Sequence, residues 1–345
     1  MRPLKLSLIL LILITQNVLS QSVPLRHTFN QDTLNKIVYE LGHDTYGKIT
    51  GIVIIQKSKI LFEKYFGFNS STTIHPISSV TKSITSLLTG ICLGRGYIHS
   101  IDTPIYTYFP EYNYIFEKDT LKKRITIRHL LNQTAGFEWD EWTTHYSFAG
   151  NQLIDLSHTD KNWVELTLSL PLIHEPGTFF TYNSGNSQVI KEILCKSSGK
   201  GIDSLAIMYL FKPIGINDIH WDTYPNNGLP AWGGISTTTF NMARIGMLVC
   251  NNGIWNGKQI VSEDWIKRST QVEAKNGKAD YGLHWWIRNQ PDGNPLIYAA
   301  GYGDQYIYIA PDKKMVIAIN GQNFTDYKWP KTIDQLINSL LGSLE

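Results

Sequence analysis

The sequence predicts an α/β (α+β) fold: one antiparallel sheet assembled from both ends of the chain and flanked by helices, with a mostly helical segment inserted between. Two observations carry this. β-Branched and aromatic runs gather toward the ends, at Thr50–Gln56 and Lys59–Tyr65, then at Leu283–Arg288, Gln305–Ala310 and Met315–Asn320. Short polar turns join the first two and the last two, so each set reads as hairpins. The long middle is instead dominated by helical apolar spacing. With no internal repeat or low-complexity linker to mark a separate module, the middle reads as an insertion into one domain.

Taken in order, residues 1–20 read as a signal peptide: Arg2 and Lys5, an apolar run from Leu6 to Ile14, then Val18-Leu19-Ser20 before Gln21. That run is too short for a permanent membrane anchor, so the mature chain is expected to be exported, to a periplasm or outside the cell. Residues 21–345 then form one domain, with an α/β part at about 21–100 and 275–345 and a helical part at about 101–274. A helix opens near Ser79; Val80, Ile84, Leu87, Leu88 and Ile91 form its apolar face, and Gly94 and Gly96 end it. Another spans about Thr332–Leu341, with Ile333, Leu336, Ile337, Leu340 and Leu341 on one face. A net charge of only +2 gives no electrostatic case for nucleic acid. Cys92, Cys195 and Cys250 lack metal-type spacing and read as small hydrophobes, so no metal or other cofactor is implied.

The chemistry rests on Ser79-Val80-Thr81-Lys82 and Tyr182-Asn183-Ser184. A serine hydroxyl is a weak nucleophile until a base removes its proton, and Lys82 sits one helical turn away. Burial and a helix N-terminus both lower a lysine pKa toward the neutral amine such a base requires. Tyr182 offers a phenol that can shuttle protons. Ser-x-x-Lys alone is a weak signal, since about one or two copies arise by chance in a chain of this length. Ser197-Ser198-Gly199-Lys200 is such a copy, but it lies in a Ser/Gly-rich stretch after a helix. The polar face of Ser79, Lys82, Ser83 and Ser86 has a plainer alternative, a solvated stripe.

The surroundings of these motifs resemble the serine β-lactamase and penicillin-binding-protein-like hydrolases. Within them the likeness is to class C-type esterases and 6-aminohexanoate-dimer-hydrolase-like amidases. It runs from about Gly51 to Asn320, through Ile125–Leu131, Thr134-Ala135-Gly136, Glu175–Phe179, Leu210–Ile216, Met242–Gly246 and Tyr281-Gly282 before Trp285-Trp286. The resemblance implies a β-lactamase/transpeptidase-like fold with the cleft between its two parts. It implies Ser79 as acylated nucleophile, Lys82 as base, Tyr182 as acid/base partner, and the N–H groups of Ser79 and Tyr302 as oxyanion hole.

Two departures from that pattern bear on substrate. Ala299-Ala300-Gly301 stands where the family usually has a lysine or histidine, a small residue and glycine, so the cation that holds a substrate carboxylate is missing. A charge-assisted contact of that kind is worth about 1.5–3 kcal/mol. Weak action on penicillins and D-Ala-D-Ala ends is therefore expected, unless Arg244 or another cation substitutes. Ser184 replaces the asparagine of class C β-lactamases and is expected to donate to Lys82 or to a substrate carbonyl. Trp139, Trp142, Trp163, Trp232, Trp285, Trp286 and Tyr302 fall near the expected cleft. Ser184, Ala299, Gly301, Trp139 and Trp286 are the candidate substrate contacts. Asp140 and Glu141 form an acidic pair suited to an amine-bearing substrate, whereas His129, inside an apolar helix start, reads as structural.

The leading expectation is thus an exported serine esterase or amidase acting on a small ester, amide or peptide. A D,D-peptidase, D-aminopeptidase or β-lactamase is one alternative. A non-catalytic binding or sensor protein is the other.

Overall fold

The computed structural model describes residues 30–343 apart from 226, 278, 291, 326 and 327; the expected signal peptide lies outside the described residues. Eight strands form the main sheet: β1 (Ile49–Gln56), β2 (Lys59–Tyr65), β3 (Ala274–Lys275), β4 (Asp280–Tyr281), β5 (Trp286–Asn289), β6 (Pro295–Gly301), β7 (Gln305–Ala310) and β8 (Met315–Gly321). Their order is β2-β1-β8-β7-β6-β5-β4-β3, antiparallel throughout. The two chain ends meet in the β1–β8 pair, where Ile52 lies opposite Ile319 and Val53 opposite Ala318.

β1 is apolar on both faces because each face has its own core. Val53 and Ile55 join the larger core, while Ile52 and Ile54 join a second one with Ile37, Leu336 and Leu340. The period-two alternation of a strand assigns neighbouring residues to opposite cores, which is why Ile52–Ile55 shows no polar positions. Helix α1 (Gln31–Gly42) covers the second face. On the first face lies α2 (Val80–Gly94), closed by Arg95 and by Gly96 at φ +73°. Its polar stripe is not solvated: Thr81, Lys82, Ser83, Thr85 and Ser86 are all buried.

The remaining helices that position the site are α3 (Ile127–Leu131), α4 (Trp163–Ser169), α5 (Ser184–Ser198), α6 (Thr239–Cys250) and α7 (Glu263–Ser269). The C-terminal α8 (Ile333–Gly342) joins α1 on the second face. The stretch 101–274 is not uniformly helical. His75–Pro76, Ile235–Thr237 and Ile219–Trp221 pair as a small second sheet. Helix α6 packs on β8 and β7 rather than among the inserted helices, and Gly246 permits the approach. A Cβ there would sit 2.5 Å from Val316 Cγ1 and 2.7 Å from Ile307 Cγ2. An apolar helix face does not name its partner, so sequence spacing alone placed α6 in the wrong layer.

The strand expected at Leu283–Arg288 begins only at Trp286. His284 takes a left-handed φ of +62°, its N–H donates to Leu131 O, and its carbonyl accepts from Ser83 Oγ. This kink ties the sheet to α2 and α3.

Candidate active site

Ser79 occupies the N-cap of α2. The turn that delivers it is tight, with Ser78 at φ +47°, a conformation uncommon for a residue with a side chain. Strand β6 runs directly past this turn. A Cβ on Gly301 would lie 2.3 Å from Ile77 O and 3.2 Å from Ser78 Cβ, so only glycine fits there. The Ser78 hydroxyl donates to Tyr302 O (3.0 Å), fastening strand to turn. The segments carrying the two expected oxyanion donors, the Ser79 and Tyr302 N–H groups, are thereby held side by side.

One turn into α2, Lys82 Nζ is 3.0 Å from Ser79 Oγ and 3.3 Å from Trp232 O. Its side chain is buried. Burial lowers the amine from its ordinary 10.5 to about 8, and the Glu141 carboxylate partly opposes the fall. Lys82 Nζ also lies 4.7 Å from the centroid of the Tyr182 ring. The Tyr182 phenol is pushed well above its usual range by burial and then by Glu141, tempered by its contact with Ser79. The three groups foreseen from the motifs are therefore gathered in one place.

Gln133 holds Tyr182 where it is. Its carbonyl accepts from Thr181 N (2.8 Å) and its side-chain oxygen from Asn183 N (3.0 Å), so it grips the chain on both sides of the tyrosine. The same oxygen accepts from Asn186 Nδ2 (2.8 Å). Asn183 in turn caps α5 through Gly185 N. Gln133, itself buried at φ +62°, drew no attention in the sequence because it carries no chemistry.

Glu141 behaves differently from the expectation of an amine-recognising pair. It is 1% exposed, and both its oxygens are taken by protein donors. Ser184 N (2.9 Å), Ser184 Oγ (2.9 Å), Trp139 Nε1 (2.7 Å) and Tyr146 OH (3.2 Å) all donate to it. Among the described residues these four donors saturate both oxygens, and no cation pairs with it. Asp140 is separate, capping its loop through Trp142 N and Thr143 N. Two candidate substrate contacts are corrected at once. Ser184 is fully buried and spends its hydroxyl on Glu141, so it reaches neither Lys82 nor a substrate carbonyl. Trp139 is buried in a cluster with Trp163 and Trp232, its indole N–H also committed to Glu141.

A cavity of about 860 Å³ opens beside Ser79 and Tyr182, with Trp142, Trp286, Ala300, Gly301 and Tyr302 among its walls. The β-lactamase family model matches residues 44–331, which brackets every element of this site. The chain belongs to the β-lactamase family. The 6-aminohexanoate-dimer hydrolase of Paenarthrobacter ureafaciens is 23% identical over 283 residues, 77% of this chain and 70% of that protein. A putative 6-aminohexanoate-dimer hydrolase from Bacillus anthracis superposes with a TM-score of 0.75 at 22% identity, covering 89% of this chain and 80% of that one. A family VIII carboxylesterase superposes at 0.69 and 15% identity, covering 90% and 96%. The fold is accordingly β-lactamase/transpeptidase-like.

Within this β-lactamase-family site, Gly301 and Trp286 line the cavity as expected, but Ala299 does not. It faces the larger core opposite Ile307 and is 1% exposed, so it is wall rather than contact. Arg244 does not stand in for the missing cation. It donates to Gly215 O and lies over Phe240, and it is not among the cavity-lining residues. Of the other aromatic candidates, Trp163, Trp232 and Trp285 are buried packing residues, whereas Trp142 is 56% exposed at the mouth. His129 is structural, as read, completing a capping box with Thr126 at the start of α3.

Proposed function

We propose that the chain is a serine hydrolase that cleaves an ester or amide through an acyl-enzyme on Ser79. The observation that carries this reading is the buried Lys82 amine, 3.0 Å from Ser79 Oγ with its pKa lowered to about 8. A neutral amine at that distance accepts the Ser79 proton as Oγ attacks the substrate carbonyl. The carbonyl π electrons move onto oxygen, where the Ser79 and Tyr302 N–H groups meet the new charge. On collapse of the tetrahedral intermediate, the proton held by Lys82 passes through Tyr182 to the departing alcohol or amine. Water then repeats the sequence on the acyl-serine, releasing the acid. The phenol's raised pKa keeps Tyr182 protonated, so it relays while Lys82 acts as base.

The names of the relatives, a hydrolase of an amide dimer and a carboxylesterase, favour small esters and amides. The absence of a cation at Ala299, unrepaired by Arg244, argues against substrates recognised by a carboxylate, penicillins and D-Ala-D-Ala peptides included. Export rests on the N-terminal sequence; no helix among the described residues is long and apolar enough to cross a membrane.

The test is to treat the purified protein and Ser79→Ala with a fluorophosphonate probe, p-nitrophenyl acetate and nitrocefin. Labelling and ester turnover that vanish in the variant, with little nitrocefin cleavage, are expected. Rapid nitrocefin hydrolysis would overturn the substrate argument. An unlabelled Ser79 would leave a non-catalytic binding protein.

A further inference from the structure

A row of aromatic rings runs away from the site, and the proposed chemistry leaves it unused. Trp142 and Trp286 stack on the Tyr182 ring at 5.3 and 5.8 Å between centroids. Trp286 stacks on Tyr298 (6.2 Å), Tyr298 on Tyr308 (5.2 Å) and Tyr308 on Tyr306 (5.2 Å), with neighbouring planes within 24° of parallel. Strand register builds the row, since Trp286 lies opposite Tyr298 and Tyr298 opposite Tyr308. These side chains share the second face of the sheet, where Leu296, Ile317 and Ile319 are sealed under α1 and α8. Trp286, Tyr298 and Tyr306, with the edge of the otherwise buried Tyr308, line the same cavity as Ser79, and so do Trp329, Thr332 and Ile333.

We propose that this row is the subsite for the leaving-group arm of the substrate, and that the enzyme prefers esters or amides whose alcohol or amine portion is an extended, uncharged apolar or aromatic chain. The inference rests on the reading of Ser79 as nucleophile and Tyr182 as proton donor to the leaving group. The departing atom must lie at the Tyr182 hydroxyl, and the rings stacked on Tyr182 begin the row there. Flat parallel rings give an apolar arm continuous contact without demanding directed hydrogen bonds. Of the charged groups that line the cavity, Lys331 pairs with Glu40 (2.5 Å), Asp334 with Arg288 (2.7 Å) and Asp304 accepts from Asn323 Nδ2, while Lys328 is exposed at the rim.

The test compares two ester series on the wild-type protein. In the first, the acyl group stays acetyl and the alcohol grows from ethanol to 1-octanol. Unbranched alcohols beyond propanol differ little in acidity, so intrinsic reactivity is constant and kcat/KM reports binding in the transition state. A rise of about two- to four-fold per methylene is expected until the row is filled. In the second, ethyl esters of acids from acetic to octanoic should show a much shallower trend. Trp286→Leu and Tyr298→Ala should flatten the first series; because either can unsettle the sheet, the wild-type comparison decides alone. A flat alcohol series, or a steeper acyl series, overturns the proposal. Binding of 1-octanol to Ser79→Ala protein, followed by tryptophan emission, reads the row without any turnover. No response up to the alcohol's solubility limit would refute the subsite even if Ser79 proved inert.

Discussion

Replacing Glu141 with glutamine removes one charge from the site while keeping the size of the side chain. That carboxylate holds Lys82 above the value burial alone would give. With Lys82 at about 8, about one molecule in ten carries the neutral amine at pH 7. Loss of a charge acting through the protein interior should lower the amine by on the order of one pH unit. The acid limb of kcat/KM should then move from about pH 8 toward 7. The plateau should fall about ten-fold, because the new amide group turns a donor toward Ser184 or Trp139 and loosens the start of α5 beside Tyr182. The assay is kcat/KM for p-nitrophenyl acetate from pH 5.5 to 9.5. Within that window His284, pushed down to about 3 by burial and Lys82, stays neutral, as does Tyr182. Glu141→Asp serves as control: it retains the charge, so its limb should stay near 8 whatever happens to its plateau. A limb that holds its position in Glu141→Gln, or climbs, would refute the assignment of Lys82 as the titrating base under Glu141 control.

Gly301→Ala should cut kcat by about 10²-fold or more, since the new methyl meets the rigid Ile77 carbonyl and displaces the Ser79 turn; near-normal turnover with an unchanged melting temperature would contradict the close approach. Lys82→Met should abolish turnover yet stabilise the fold. The drop from 10.5 to about 8 means that burying this amine costs roughly 3 kcal/mol at pH 7, less whatever is lost by orphaning Trp232 O. The sign follows from proton counting: between about pH 8 and 10.5 the unfolded chain binds the extra proton, so wild-type stability rises with pH in that window. Denaturant melts should therefore show the variant's advantage of about 1–3 kcal/mol shrinking as pH approaches 10. An advantage that grew with pH would show the lysine is not held near neutrality in the folded state.

The hairpins and the nucleophile helix were legible because their signals are local. β-Branched runs of strand length, and an apolar period backed by Gly94 and Gly96, need no knowledge of what they pack against. That Ser79, Lys82 and Tyr182 meet was legible through motif and resemblance. What failed was partner choice. Ser184 and Trp139 sit near the cleft in sequence, but their polar atoms are taken by Glu141, and no spacing rule states which of two nearby acceptors wins. Ala299 shares a strand face with Gly301, but two positions back along the strand it lies against Ile307 in the larger core, so only the glycine borders the cavity. His284 was missed because its kink depends on hydrogen bonds to Leu131 and Ser83, which lie more than 150 positions away in the chain.

The placement of Glu141 also bears on how the proposed base, Lys82, is tuned. A dry pocket alone would keep lowering the amine until it became a weak base, always neutral and reluctant to take the Ser79 proton. An adjacent paired carboxylate would hold it as ammonium. Glu141 does neither, because Ser184, Trp139 and Tyr146 absorb its hydrogen bonds and leave only its field to reach Lys82. The charge is close enough to restrain the fall. The same field raises the Tyr182 phenol, which separates relay from base. Burial makes the larger shift at both groups; one carboxylate, anchored by neutral donors, trims the first and adds to the second, so the proposed base stays far below the proposed relay.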